Sequence, residues 1–275
     1  MRGTLFVVAT PLGNLGDLSP RAAETLKRVA AVAAEDTRRT RPLLAHVGSG
    51  AELVSVHAHS PAAAIERVLR QLAGGRDVAL VTDAGTPAVS DPGVALVAAA
   101  RARDFPVVTV PGPTAVAAAL AVSGLSADRY LFLGFLPRKG GERQRLLDTI
   151  AQSEWTVIVF EAPNRTAQLL DDLVAMCGAE RRGVVARELT KLFEETRDGT
   201  LAELAGYYRD TPPRGEVTVI VSGTGVPARV TPHPDPEARA RALLAEGMTR
   251  RDVADRLAQE TGISRNSAYR LVNEL

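Results

Sequence analysis

The sequence predicts an α/β protein made of two successive α/β domains and a small helical module at its C-terminal end. Three observations carry this. Apolar, β-branched runs alternate with helical patterns from Met1 to about Ser123, as in a parallel sheet with helices on both faces. After Gly124 the stretch Glu188 to Gly199 is short enough for a hairpin, which a purely parallel sheet cannot hold. Beyond Gly225 a proline-rich linker precedes three short helical patterns. The expected boundaries are 1–123 and 124–225 for the two domains, 226–235 for the linker and 236–275 for the module.

In the first domain, strands are expected at Leu5 to Ala9, Leu53 to Val56, Val78 to Val81 and Val107 to Val110. Ser19 followed by Pro20 supplies an N-cap and a first helical position for a helix to about Val29. A second helix follows Pro61 and ends at Gly74-Gly75. The helix Thr114 to Val122 is rich in Ala and Val and is expected to be mostly buried. In the second domain, strands are expected at Leu131 to Phe135, Thr156 to Phe160, Gly183 to Arg187, Leu192 to Thr196 and Val217 to Val221, with helices near Gln144 to Ile150 and Thr166 to Met176. The module reads as helices Pro236 to Glu246, Arg250 to Thr261 and Ser264 to Glu274. Its turn Thr261-Gly262-Ile263-Ser264 gives helix-turn-helix character, with Ser264 as N-cap.

Composition narrows the class. The single cysteine, Cys177, excludes an internal disulfide framework and fits a reducing compartment, so the cytoplasm is the expected location. The apolar run Leu5 to Ala9 is too short for a signal-peptide core, and no later run reaches the roughly 18 residues of a membrane span. A net charge of +1 gives no bulk signature of nucleic-acid binding. Any RNA contact must come from local patches.

Chemistry concentrates after the strands. The turn Asp83-Ala-Gly-Thr-Pro-Ala-Val-Ser-Asp-Pro-Gly93 is stiffened by two glycines and two prolines at the carboxyl end of a buried strand, where open α/β sheets bind ligands. Asp83, Thr86, Ser90 and Asp91 offer acceptors and hydroxyls but no cation, which suits an uncharged or zwitterionic guest. The turns Thr10-Pro-Leu-Gly-Asn-Leu-Gly16 and Val110-Pro-Gly-Pro-Thr114 would share that sheet edge, although the first is GxxG and not a dinucleotide fingerprint. Four mixed charge clusters lie at element ends: Glu35 to Arg39, Pro137 to Arg143, Glu161 to Arg165 and Arg187 to Lys191. Metal is not expected, since His57 and His59 form the only close histidine pair and nothing completes a ligand set. No G-x-S-x-G occurs, and Cys177 lacks a neighbouring histidine.

Taken together, Val8 to Leu15, Ala34 to Arg38, Asp83 to Gly93, Val110 to Thr114, Gly134 to Lys139, Glu161 to Arg165, Arg187 to Lys191 and Gly215-Glu216 resemble the tetrapyrrole methylase superfamily, and within it the branch that methylates small-subunit ribosomal RNA. The resemblance implies S-adenosylmethionine held in a cleft between the two α/β domains and methyl transfer to the 2′-hydroxyl of a cytidine in 16S rRNA, near the decoding centre. It assigns cofactor contacts to Pro11, Asp83, Gly85, Thr86, Val89, Ser90, Thr114, Ala115, Glu161 and Ala162, and it makes a homodimer the expected assembly. Two positions depart from the family pattern: Asn164 stands where histidine is common, and His57-Ala-His-Ser60 replaces the commoner His-x-His-Asn.

Methylating a ribose hydroxyl needs removal of its proton, stabilisation of the developing alkoxide, and alignment. The expected parts are Glu188 or Asp36 as proton acceptor, with Lys191 and Arg165 as cations. Arg38, Arg39, Arg138, Lys139 and Arg143 are expected to meet RNA, with the loop from Arg138 to Arg143 closing over it. Arg265 and Arg270 in the module are expected to do the same in a substrate-docking role. The competing functions are methylation of a tetrapyrrole or another macromolecule on the same scaffold, and a non-enzymatic, S-adenosylmethionine-responsive DNA-binding regulator. The displacement chemistry demands no divalent ion.

Overall fold

Short runs of small and β-branched residues form two five-stranded sheets in the computed structural model, which describes residues 2–57, 62–224, 236–261 and 265–275. The first sheet is wholly parallel: β1 (Leu5–Val8), β2 (Ala31–Ala34), β3 (Glu52–Ser55), β4 (Val78–Val81) and β5 (Val107–Val110), in the order β3-β2-β4-β1-β5. Helices α1 (Pro20–Arg28), α2 (Thr37–Val47), α3 (Ala62–Ala73) and α4 (Val94–Ala102) cover it. The central strands are buried on both sides: Val78 and Leu80 enter one core with Leu69 and Leu96, while Ala79 and Val81 enter the other with Leu26 and Leu44.

Helix α5 (Ala115–Ser123) follows, and then a mixed sheet of β6 (Tyr130–Phe135), β7 (Thr156–Glu161), β8 (Arg182–Arg187), β9 (Glu195–Thr200) and β10 (Val217–Val221), in the order β6-β7-β10-β8-β9. Only β6 and β7 run parallel; β8 and β9 form the anticipated hairpin. Alternation then decides two cores. Val157, Val159, Val185, Val217 and Val219 pack against α6 (Gly141–Gln152), α7 (Thr166–Cys177) and α8 (Leu201–Asp210). Ile158, Val184, Ala186 and Ile220 face the other way, onto Leu12 and onto Val116, Ala119 and Leu120 of α5. This second core joins the residues of the two sheets, and Met1–Thr224 forms one compact unit.

Gly225–Leu275 is a separate unit. Its helices α9 (Pro236–Ala245), α10 (Arg250–Thr261) and α11 (Arg265–Glu274) close around Ala240, Leu243, Val253, Leu257, Ala268 and Val272. The linker 226–235, His59 and Ser60, the residues Gly262 to Ser264 of the expected turn and the Ser264 cap lie outside the described residues.

The structure corrects several expectations. Strand β2 and helix α8 had no counterpart in the sequence reading: Ala31 to Ala34 is buried on both faces, so it shows no alternation, and alanine carries little strand signal. Strand β9 begins at Glu195, not Leu192, because Leu192 and Phe193 are exposed at 89% and 69% in the preceding turn. Helix α5 is only half buried, with Ala117, Ala121 and Val122 facing outward. Cys177 closes α7, and burial raises its thiol pKa above the ordinary value.

Candidate functional site

The carboxyl ends of β4, β1 and β5 are neighbours, and backbone hydrogen bonds stitch their turns together. Thr10 N–H donates to Gly85 O at 2.8 Å, and Gly85 N–H donates to Thr10 O at 3.1 Å. The Thr10 hydroxyl donates to Thr82 O at 3.2 Å, and the Thr86 hydroxyl to Pro113 O at 3.1 Å. The turn after β2 joins through Asp83, which accepts from Asp36 N–H at 3.2 Å and pairs with Arg39 at 3.5 Å. Thr82 in turn donates to Glu35 at 2.9 Å.

These turns form one side of a cleft of about 390 Å³, within the size range of small-molecule sites. The mixed sheet supplies the other side through Phe135, Phe160 to Pro163 and Gly215 to Thr218. Asp83, Gly85, Thr86, Val89, Ser90, Thr114, Ala115, Glu161 and Ala162 all line it, and Pro11 does not; its neighbour Leu12 does. Sequence reasoning did not assign Glu35, Phe135, Phe160 or Gly215 to Thr218 to the site, and it saw Asp91 only as an acceptor in the turn.

Carboxylates dominate the charged part of the lining. Glu35, Asp83, Asp91 and Glu216 face the cavity, and Arg39 is the one cation among the described lining residues. Burial raises the Asp91 pKa to about 6; Thr82 opposes the shift, and Glu35, Asp83 and Glu216 add to it. Phe135 and Phe160 form an edge-to-face pair with centroids 5.6 Å apart, giving an apolar flank. A carboxylate-rich cavity with aromatic walls suits a cationic, aromatic-bearing small molecule, and the residues present therefore fit S-adenosylmethionine.

The Glu188–Lys191 turn abuts this cleft without lining it. Lys191 Nζ donates to Glu188 at 2.8 Å and to Glu216 at 3.0 Å. Burial works to lower the Lys191 pKa, but these two carboxylates outweigh it and the net shift is upward; Lys191 in turn holds the Glu188 pKa low. Two glycines make room for the arrangement. A Cβ on Gly13 would stand 2.3 Å from Lys191 Cγ, and one on Gly215 would stand 2.0 Å from Glu188 Oε1. The GxxG pattern thus seats a lysine stem.

Other expected site residues occupy different positions. Asp36 caps α2, and its carboxylate is clamped by the Arg38 guanidinium and backbone, which hold its pKa at about 2. Neither Asp36 nor Glu188 is therefore suited to accept a proton near neutrality. Arg165 binds Glu161 at 3.0 Å and Leu136 O at 2.9 Å, outside the lining, so it positions Glu161 and does not face a reacting oxygen. Arg143 is buried on Asp172 at 2.5 Å and on Pro137 O at 3.0 Å. It anchors the loop expected to close, and it has no face for RNA. Arg38, Arg39, Arg138, Lys139, Arg265 and Arg270 are all exposed; Arg38, Arg39 and Arg265 also pair with Asp36, Asp83 and Asp255. Among the described residues no group of three or more His, Cys, Asp and Glu could hold a metal, and no helix is long and apolar enough to cross a membrane.

Comparison with known proteins matches residues 4–205 to the family model of tetrapyrrole (corrin/porphyrin) methylases. The chain is 43% identical to a ribosomal RNA small subunit methyltransferase I of Synechocystis, over 99% of this chain and 98% of the relative. It is 46% identical to that of Xylella fastidiosa strain Temecula1, over 97% and 98%. Among solved structures, cobalt precorrin-4 methyltransferase covers 80% of this chain and 94% of its own at 18% identity, with a TM-score of 0.63. Uroporphyrin-III C-methyl transferase from Thermus thermophilus, complexed with S-adenyl homocysteine, covers 83% and 99% at 20% identity, with a TM-score of 0.58. These two show the fold.

Proposed function

The chain belongs to the tetrapyrrole methylase family, in its group of small-subunit ribosomal RNA methyltransferases that use S-adenosylmethionine, and from that premise we propose that its cleft methylates the 2′-hydroxyl of a cytidine ribose in 16S rRNA. The observation that carries the reading is the carboxylate-lined cavity framed by three stitched turns. When bound, the donor supplies a methyl carbon on a positively charged sulfur. The chain's residues do the rest.

Glu35, Asp83 and Glu216 set a negative potential that favours a sulfonium over its neutral demethylated product. The stitched main chain of Thr10 and Gly85 fixes the cavity wall, so oxygen, carbon and sulfur can be held in line. Asp91 is the proposed proton acceptor, because its carboxyl group faces the cavity without a cation clamped to it. It would take the ribose hydroxyl's proton and hold it on its carboxylate while the donor supplies the methyl group. Lys191, tied to Glu216 at the cleft edge, is the proposed cation for a flanking phosphate. Gly85, Thr86, Val89, Ser90, Thr114, Ala115, Glu161 and Ala162, all on the cleft lining, complete the proposed donor contacts. Arg38, Arg39, Arg138 and Lys139 are the proposed RNA contacts.

Radiolabelled methyl groups should pass from the donor to 30S subunits and be recovered, after nuclease digestion, as a 2′-O-methylated cytidine. Label recovered in uroporphyrinogen, or in no acceptor, would refute this. The proposed assembly is a homodimer acting in the cytosol, symmetric dimers being the commonest soluble oligomers. The helical module is proposed to dock substrate, with Arg265 and Arg270 among its exposed cations. Deleting residues 227–275 should weaken 30S binding roughly tenfold, in keeping with the loss of a few phosphate contacts, and leave donor binding unchanged by calorimetry. Equal 30S affinity would refute docking.

A further inference from the structure

We propose that Phe193, with Leu192 beside it, is a nucleobase platform at the rim of the cleft that stacks on a base next to the methylated nucleotide; this rests on the ribosomal RNA reading above. The turn from Glu188 to Glu194 sends its apolar residues in opposite directions. Leu189 is buried in the core between α5 and the mixed sheet, whereas Leu192 and Phe193 stand 89% and 69% exposed. Large side chains at such exposure, side by side, are expected to find a partner.

The turn is built to hold them there. Glu188 and Thr190 are non-glycine residues at φ +51° and +68°, a costly backbone that persists only where surroundings impose it. Here Glu188 N–H donates to Glu216 O at 3.0 Å, Lys191 N–H to Glu188 O at 2.9 Å, and Glu194 N–H to Lys191 O at 3.1 Å. Thr190 N–H donates to Glu194 Oε2 at 2.6 Å. Lys191 ties the turn to Glu216, which lines the cleft, so the turn is fastened to the cleft edge two residues before Phe193.

Its surroundings have the chemistry of a nucleotide partner. Exposed Arg214 lies on the adjoining loop next to Gly215, and exposed Arg39 lines the cleft itself. Cations for phosphate beside an aromatic face for a base are how single-stranded RNA is gripped.

The test uses the full chain and compares wild type, Phe193→Ala and Phe193→Trp in steady-state methylation of 30S subunits, with donor affinity measured by calorimetry and mass by sedimentation. Phe193→Ala should lower kcat/KM roughly 10- to 100-fold, chiefly through KM, as loss of one stacked base predicts. Phe193→Trp should stay within a few-fold of wild type, and donor affinity and mass should not change. Unchanged kcat/KM for Phe193→Ala, or no rescue by Trp, would overturn the platform. Loss of dimer mass in Phe193→Ala would identify a second copy as the true occupant, and weakened donor binding would identify a packing role. Wild type inactive on 30S subunits would sink the underlying reading as well; an active wild type with an equally active Phe193→Ala would sink the platform alone.

Discussion

Asp91→Asn lowers the turnover of 30S methylation by roughly 10²- to 10⁴-fold, the usual contribution of a positioned base, while donor affinity stays within a few-fold. The amide keeps the shape of the carboxyl group and cannot take the proton. Burial and the neighbouring Glu35, Asp83 and Glu216 place the Asp91 pKa at about 6, so turnover in wild type should rise with pH through about 6 and level above it. The acidic limb should vanish from the residual activity of the variant. Stability provides a second check. Asp91 binds its proton more tightly in the folded chain than at its ordinary 3.8, so its contribution is present below 3.8 and is lost as pH rises through about 6. Asp91→Asn should therefore match or exceed wild type in urea midpoint at pH 8. Full activity in the variant, or a midpoint well below wild type at pH 8, would remove Asp91 from the mechanism.

Gly215→Ala is expected to disorganise the cleft edge. Its Cβ would stand 2.0 Å from Glu188 Oε1, and the φ of +80° leaves a side chain no relaxed alternative. Displacing Glu188 removes the acceptor of both Lys191 Nζ and Glu216 N–H, and moves residues 215–218 that line the cavity. Donor affinity should fall at least tenfold by calorimetry, and stability by about 2 to 3 kcal/mol in urea titrations. Gly178→Ala is the control: its φ is +91° but nothing lies within 4 Å, so it carries only the backbone strain of about 1 to 2 kcal/mol and no loss of donor binding. Equal behaviour of the two variants would show that the Glu188 contact is unimportant.

The parallel sheet was legible because Val78 to Val81 and Val107 to Val110 are runs of strand residues bounded by glycine and proline, and both strands fall on those residues. Ala31 to Ala34 was not, since a strand of small residues buried on both faces has neither period nor β-branched bias. The shared edge of three turns followed from the rule that parallel strands present their carboxyl ends together. What a one-dimensional reading lacks is partner choice. Arg143 and Arg165 look like cleft cations beside their motifs, yet each is held by a carboxylate: Arg143 by Asp172 on another helix, and Arg165 by the buried Glu161 of its own motif. The reverse applies to Asp91, whose raised pKa depends on residues 8 to 125 positions away that only the folded chain brings near.

The bonds that knit Thr10 to Gly85 run from main chain to main chain, and so they are indifferent to the side chains those turns display. A donor seat made this way can be inherited unchanged while the opposite wall is rewritten for a new acceptor. Solved structures at 18% and 20% identity, named as tetrapyrrole enzymes, share this fold.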